Sequence, residues 1–232
     1  MVKTIIFGAL INAAAILLGG GIGLLFKGKI SNKLSENITR AMGLCVCVIG
    51  ISGALEGDLM LLVVSLMLGT LTGEFLDIDG KLNTLGLFLQ KKLTREDSQS
   101  KFAEGFVTAT LLFCVGAMAV VGSIEIGLRN DYSIIVTKSI IDGAVAMVFA
   151  SYLGFGVLFS AFAVLIYQGI IEFFAGYLQG ILTIGLITQI SAAGGVMILA
   201  IGFNMALGAK IKVANLLPGL IFVAGYYNLF LS

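Results

Sequence analysis

The chain has 232 residues, of which 59% are hydrophobic and 12% charged, with a net charge of +1 and no histidine. A soluble domain carries roughly 25% charged residues, so this composition excludes an ordinary soluble protein and predicts a protein embedded in a lipid bilayer. The near-neutral charge argues against a nucleic-acid partner, and the lack of any zinc-ligand or nucleophile–base cluster predicts no metal, no cofactor, no catalytic residue and no enzymatic activity.

The first apolar run covers residues 4–26, which is the length of a membrane-spanning helix. Residues 23–29 resemble part of a phosphate-binding loop, but Ile30 stands where a Ser or Thr should bind magnesium. We therefore interpret this region as a transmembrane helix followed by a basic turn. Three adjacent glycines, residues 19–21, leave open whether that helix is broken.

Seven further apolar runs predict an all-α transmembrane fold of about eight helices, in a single membrane domain that covers residues 1–232. The later spans are predicted at residues 40–55, 58–76, 104–125, 134–152, 155–177, 190–208 and 212–231. The stretch SYLGFG (151–156) is the predicted break between the fifth and sixth spans, because residues 134–177 are too many for one crossing. With both termini outside, eleven of the 14 Lys and Arg residues lie on the cytoplasmic side, as the positive-inside rule requires.

An internal repeat relates the two ends of the chain. Residues 8–28 align without gaps to residues 156–176 with nine identities, and residues 38–55 align to residues 190–207 with seven. Five crossings separate the first and sixth spans, so the two copies must run in opposite directions. The sequence therefore predicts two inverted-topology repeats, as in many secondary transporters. Repeat A covers about 4–76, repeat B about 155–231, and two intervening helices about 104–152.

Glycine is frequent, with 31 residues in the chain, and it lets transmembrane helices approach each other closely. The same small-residue faces leave a homo-oligomer open as a further prediction.

Asp142 is the first candidate for a functional residue, because a charge within a span is costly. Lys138 lies one helical turn earlier, so the two are a candidate ion pair, which either lines a polar cavity or fixes helix packing. Glu172 is interpreted as an interfacial residue near the outer end of the sixth span. The remaining candidates for a substrate or ion pathway are uncharged polar residues within spans: Asn12, Thr108, Ser160, Gln168, Asn204 and Asn215.

These features predict a transporter or channel for an unknown small solute or ion. The alternative is a non-transporting membrane scaffold or partner subunit. A transporter predicts polar side chains that face one another between the first and sixth helices. A scaffold predicts scattered polar side chains and an apolar patch left for a partner.

Several stretches of the chain resemble domain-of-unknown-function family 554, a family of prokaryotic multi-pass membrane proteins, some of which carry a transport-protein label. They are GFVTATLLFCVGAMAVVGSIEIGL (105–128), KSIIDGAVAMVFASYLGFGVLFSA (138–161), YQG (167–169), ISAAGGVMILAIGFNM (190–205) and IKVANLLPGL (211–220). The resemblance covers essentially the whole chain. It implies a location in the prokaryotic cytoplasmic (inner) membrane, and it provides no catalytic residues to transfer to this sequence.

Overall fold

The computed structural model describes residues 6–26, 32–82, 84, 102–114, 116–178 and 180–230, and within these ranges its regular structure is helical. The predicted basic turn at residues 27–30 lies outside the described residues. The helices are α1 (Phe7–Phe26), α2 (Asn32–Ala54), α3 (Leu59–Leu76), α4 (Phe102–Cys114), α5 (Ala117–Arg129), α6 (Ser133–Leu153), α7 (Gly156–Leu178), α8 (Ile184–Leu207) and α9 (Pro218–Phe230), with a 3-10 helix at Val213–Leu216.

Six segments of the described chain are long and apolar enough to cross a membrane: α1, α3, α6, α7, α8, and α9 together with its preceding 3-10 helix. The pair α4 and α5 is a seventh candidate, bent by 57° at the break between the two helices. The apolar part of α2, Thr39–Ala54, is shorter. The predicted all-α fold with several spans is confirmed, and the count of eight stays a prediction.

Three predicted features of the spans can be compared with the structure. The span predicted over residues 104–125 is not one continuous helix, because Gly116 takes an extended conformation and separates α4 from α5, and the bent pair remains a candidate for a single span. The break predicted at residues 151–156 is present, where Gly154 follows α6 with φ +79°, a conformation that favours glycine. The glycines at residues 19–21 leave α1 continuous.

The helices form two compact units. Unit 1 comprises Met1–Ile30 and Gly86–Thr183 and so contains α1 and α4 to α7. Unit 2 comprises Ser31–Leu85 and Ile184–Ser232 and so contains α2, α3, α8 and α9. Whether these units act as a single membrane domain stays a prediction.

In unit 1, α1 packs along both α6 and α7. A methyl group added at Gly19 would overlap the backbone carbonyl of Gly143 on α6, so the absence of a side chain lets the two backbones meet. On its other side, α1 runs antiparallel to α7, because Gly8 lies beside Glu172 while Gly20 lies beside Leu158.

In unit 2, α2 runs antiparallel to α8 with backbone contact at two glycine pairs. Gly43 lies against Gly202, and Gly50 lies against Gly195, so a side chain at any of these positions would overlap the facing helix. The helices α3 and α9 are also antiparallel: Gly69 of α3 lies against Gly219, and Gly73 lies against Asn215 at the 3-10 helix. An apolar core joins these elements through Leu61, Leu62, Ala192, Ala193 and Val223.

Large apolar side chains remain exposed along the helices of both units. Leu18 of α1 is 71% exposed and Ile221 of α9 is 75% exposed. In water this surface would be unfavourable, whereas in a bilayer it faces acyl chains that are equally apolar. The exposed apolar surface is therefore the one expected of a membrane protein.

Candidate functional site

Asn12 is the centre of a buried polar network in unit 1. The residue is fully buried on the face of α1 that packs against α6 and α7. Its Nδ2 donates to Asp142 Oδ2 at 3.0 Å and to Gln168 Oε1 at 3.2 Å. One amide group thus links three helices, because Asp142 lies on α6 and Gln168 on α7.

Lys138 forms an ion pair with Asp142 in the same network. The two residues are four apart on α6, each is 5% exposed, and Lys138 Nζ contacts Asp142 Oδ2. The ammonium group also lies 6.0 Å from the ring centroid of Phe113 on α4, within the range of a cation–π interaction. The pair brings two opposite charges into the helix bundle with no net charge, which is the least costly way to bury either of them.

Two polar atoms of the network have no hydrogen-bond partner. They are Asn12 Oδ1, an acceptor, and Gln168 Nε2, a donor, and both are buried. Leaving a buried polar group unsatisfied costs about 1–3 kcal/mol, so such atoms usually bond to water or to a ligand. A free acceptor and a free donor on two side chains that contact each other can bind water or a small polar solute, and oxygen atoms can also bind a cation.

Two other sequence candidates in unit 1 lie outside this network. Ser160 is buried on α7, and its hydroxyl donates to the Val157 carbonyl of its own helix at 2.6 Å. Thr108 is buried on α4, and no hydrogen bond among the described residues joins it to Asn12. The structure thus brings together Asn12, Asp142, Lys138 and Gln168 and leaves these two hydroxyls apart from them.

Asn204 and Asn215 belong to unit 2, where their side chains bind loop backbone. Asn204 donates to the Ile211 carbonyl at 2.8 Å and accepts from the Ile211 amide at 2.7 Å. Asn215 is 1% exposed, and its Oδ1 accepts from the backbone amide of Asp79 at 2.8 Å. These amides fix the chain after α8 and after α3, and the structure does not connect them to the network around Asn12.

An exposed ion pair lies near these loops. Lys212 donates from Nζ to Glu74 Oε2 at 3.2 Å, and this carboxylate raises the pKa of Lys212 above its ordinary value. Both side chains are about half exposed, so solvent screens the pair and its contribution to stability is small.

Glu172 is buried inside unit 1. It is only 2% exposed and lies on α7 beside Gly8 of α1, and its position near the outer end of the sixth span stays a prediction. Both carboxylate oxygens lack a hydrogen-bond partner of good geometry, although the backbone N–H groups of Gly8 and Ala9 face them. Gln168 lies four residues earlier and therefore on the same helix face as Glu172.

The described residues include no group of three His, Cys, Asp or Glu side chains placed to bind a metal ion. The site is therefore described by its amide, carboxylate and ammonium groups.

Comparison with known proteins gives relatives of similar length. The Uncharacterized membrane protein YdfK of Bacillus subtilis (strain 168) is 34% identical over 221 residues, which cover 93% of each chain. The Uncharacterized protein YqgA of Escherichia coli (strain K12) is 29% identical over 222 residues, covering 93% of this chain and 94% of that protein. No solved structure matches the chain. The family described as "Protein of unknown function (DUF554)" matches residues 7–227, and the chain therefore belongs to this family of membrane proteins.

Proposed function

We propose that this protein moves a small solute or ion across the cytoplasmic membrane and that it does not act as an enzyme. The observation that carries the proposal is the hydrogen bond between Asn12 of α1 and Gln168 of α7, which extends to Asp142 of α6. These polar groups face one another between the first and sixth predicted spans, as a pathway requires. They also leave one buried acceptor and one buried donor unused.

Inverted repeats are part of the proposal, and the helix contacts support them. Each helix of repeat A packs antiparallel to its counterpart in repeat B: α1 with α7, α2 with α8, and α3 with α9. The repeat alignment equates Gly43 with Gly195 and Gly50 with Gly202. Exchanging the two copies therefore converts the Gly43–Gly202 contact into the Gly50–Gly195 contact, and both contacts occur. A two-fold relation between inverted copies would produce this pattern.

The proposed orientation has both termini outside. It rests on the asymmetry of eleven Lys and Arg residues against three between the two sides. The exposed loop residue Asn130, between α5 and α6, is outside in this orientation.

Water access to Asn12 tests the proposal. The three native cysteines, Cys45, Cys47 and Cys114, are first replaced by alanine. A single cysteine is then introduced by Asn12→Cys and, in a second variant, by Asp142→Cys. Membrane-impermeant thiol reagents are applied to each side of oriented vesicles. We expect labelling at position 12, because a transport pathway brings water to this depth.

Two matched variants control for folding and for reagent access. Leu18→Cys on the lipid-facing side of α1 should stay unlabelled, and Asn130→Cys should label from the outside. If positions 12 and 142 stay unlabelled in folded protein while position 130 reacts, the polar groups only fix helix packing. That result would contradict the transport function and favour the alternative, a non-transporting membrane scaffold.

A further inference from the structure

Glu172 presents a charge problem that the Lys138–Asp142 pair does not solve. The described residues of unit 1 contain two cationic side chains, Lys138 and Arg129. Lys138 is paired with Asp142, and Arg129 is paired at the surface with Glu125 on α5. Glu172 is in no ion pair among the described residues, although its carboxylate is buried.

The surroundings of this carboxylate provide little compensation for a negative charge. Gly8 lies so close that a methyl group built on it would be 2.7 Å from Glu172 Oε1, and Ile126 of α5 also packs against Gly8. The first turn of α1 directs the N–H groups of Gly8 and Ala9 toward the carboxylate, and their partial charge offsets only part of a full negative charge. Burial of an ionised carboxylate costs several kcal/mol without a counter-ion, and the described residues contain none for Glu172.

The neighbouring helices provide no other partner for Glu172. On α7 itself the titratable residues are Tyr167 and Tyr177. On the neighbouring helices the titratable or charged residues in the described chain are Glu104 and Cys114 on α4, Glu125 and Arg129 on α5, and Tyr152, Lys138 and Asp142 on α6. Glu104 is exposed. Glu125 pairs with Arg129, and Lys138 pairs with Asp142. Cys114 interacts electrostatically with Lys138 and Asp142.

The position of Glu172 connects it to the polar network. Antiparallel packing of α1 and α7 makes Gly8–Glu172 and Asn12–Gln168 consecutive contacts, one helical turn apart. The unused oxygen Asn12 Oδ1 belongs to the second contact, one helical turn from the contact that contains the carboxylate. Carboxylate and amide oxygens are the ligand types that hard cations prefer, and a carboxylate alone can take a proton.

We infer that Glu172 is the binding site of a coupling cation, either a proton or Na⁺, in unit 1. This inference rests on the proposed transport function and deepens it. Glu172 then alternates between an occupied, neutral form and an empty, charged form, whereas the Lys138–Asp142 pair stays neutral throughout. The charge that changes during transport is therefore on α7 and not on α6.

Thermal stability of the purified protein tests the inference without knowledge of the transported solute. Tm is measured between pH 6 and pH 9 in chloride salts of N-methylglucamine, with and without Na⁺. If the cation is Na⁺, it should raise the wild-type Tm by roughly 3–6 °C per tenfold increase in concentration above Kd. If the cation is a proton, Tm should instead fall as pH rises, with no effect of Na⁺.

Whichever cation binds, Glu172→Gln should remove the dependence of Tm on pH or on Na⁺, because a neutral amide neither gains a proton nor needs a cation. Glu125→Gln, on the exposed pair of α5, is the matched control and should keep it. A Glu172→Gln variant that retains the wild-type dependence on pH and Na⁺ would overturn the inference.

A second measurement uses the wild-type chain in case Glu172→Gln does not fold. A hydrophobic carbodiimide reacts with protonated carboxylic acids in apolar surroundings, so it should modify Glu172, as located by peptide mass spectrometry. Na⁺ should slow the reaction if it is the cation. Absence of modification at every pH tested would contradict the inference.

The outcomes separate this inference from the proposed function. If position 12 is labelled and Glu172→Gln keeps the wild-type dependence of Tm on pH and Na⁺, the transport pathway is supported and the cation site is rejected. Loss of cation dependence in Glu172→Gln without labelling at position 12 would support a cation site in a protein that does not transport.

Discussion

The helix pair α1/α7 of unit 1 and the helix pair α2/α8 of unit 2 have the same antiparallel geometry and opposite chemistry. In α2/α8 the contact residues are glycines, and backbone meets backbone at Gly43–Gly202 and Gly50–Gly195. In α1/α7 the corresponding contacts join Asn12 to Gln168 and place Glu172 beside Gly8. Helix packing in a membrane therefore does not require buried polar groups here, because one pair achieves it with small residues.

The same contrast holds for a single residue type. Asn204 in unit 2 pairs both its Nδ2 and its Oδ1 with the Ile211 backbone. Asn12 in unit 1 uses its Nδ2 and leaves Oδ1 free. An amide whose nitrogen and oxygen are both hydrogen-bonded to the protein supports structure, whereas a buried amide with an unpaired atom can still bind water or a solute. Asn215 Nδ2 of unit 2 is also buried without a partner, but unit 1 has two such amide atoms in one network and is therefore the better place to look for function.

The largest expected effect comes from breaking the ion pair of unit 1. Asp142→Ala leaves the Lys138 ammonium group buried without a partner, which should destabilise the protein by about 3–5 kcal/mol. The measurement is Tm in detergent together with the yield of monodisperse protein. A double variant, Asp142→Leu with Lys138→Met, removes both charges and should recover most of that loss.

Function should not recover in the double variant if the pair belongs to the pathway. Recovery of both stability and solute flux would show that the pair only fixes packing. That result would remove the main chemical difference between the two units.

The next largest effect is expected in the glycine contact of unit 2. Gly195→Leu inserts a side chain where the facing backbone of Gly50 and Ala54 leaves no space. Overpacking of this kind costs about 1–3 kcal/mol, so Tm should fall and α2 should separate from α8. Gly225→Ala is the control, because a methyl group there meets no atom within 4 Å. Equal Tm values for the two variants would contradict the close contact.

The all-α fold with several apolar spans could be predicted from the sequence, because long apolar runs have a direct physical cause in a bilayer. The candidate pair of Lys138 and Asp142 followed from helical spacing alone. The bend between α4 and α5 did not, because its flanking residues are apolar and a hydropathy window crosses Gly116 without a change.

The sequence also could not predict which polar side chains are buried and which of their polar atoms have hydrogen-bond partners. Glu172 lies near the end of a span, and only the packing of α1 and α5 against α7 determines that it is buried. Asn12 and Asn204 look alike in the sequence, because each is an uncharged polar residue within an apolar run. Their different hydrogen bonds depend on which loops or helices lie within hydrogen-bond distance.

A smaller effect should separate the two asparagines. Asn204→Ala loses two hydrogen bonds to Ile211 and should lower stability by about 1–3 kcal/mol, with solute flux per folded molecule unchanged. Asn12→Ala loses contacts to Asp142 and Gln168, each worth roughly 0.6 kcal/mol, and should lower flux more than stability. Tm and proteoliposome flux are measured for both variants. A flux defect in Asn204→Ala alone would reverse the functional assignment of the two units.

The smallest expected effect concerns an exposed carboxylate at the start of α6, the helix that also carries Asp142. Ser133 donates its hydroxyl and its backbone N–H to Asp131, and these bonds hold the pKa of Asp131 below its ordinary value of 3.8. The bonded, ionised carboxylate therefore stabilises the fold above about pH 4, and this contribution is lost as pH falls through the lower pKa of the folded state.

Ser133→Ala removes the hydroxyl donor, so the Tm gap between wild type and variant should be full at about pH 6, roughly two units above the ordinary pKa of an aspartate, and should close in more acidic solution. A gap that stays constant over this range would show that the bond does not depend on the charge of Asp131. Because Asp131 is exposed, solvent screens its charge and the gap should be small and reversible. Asp142, on the same helix, is buried, so its removal should have a much larger effect at every pH at which the protein folds. The environment of a carboxylate, and not the helix that carries it, decides how much its charge matters.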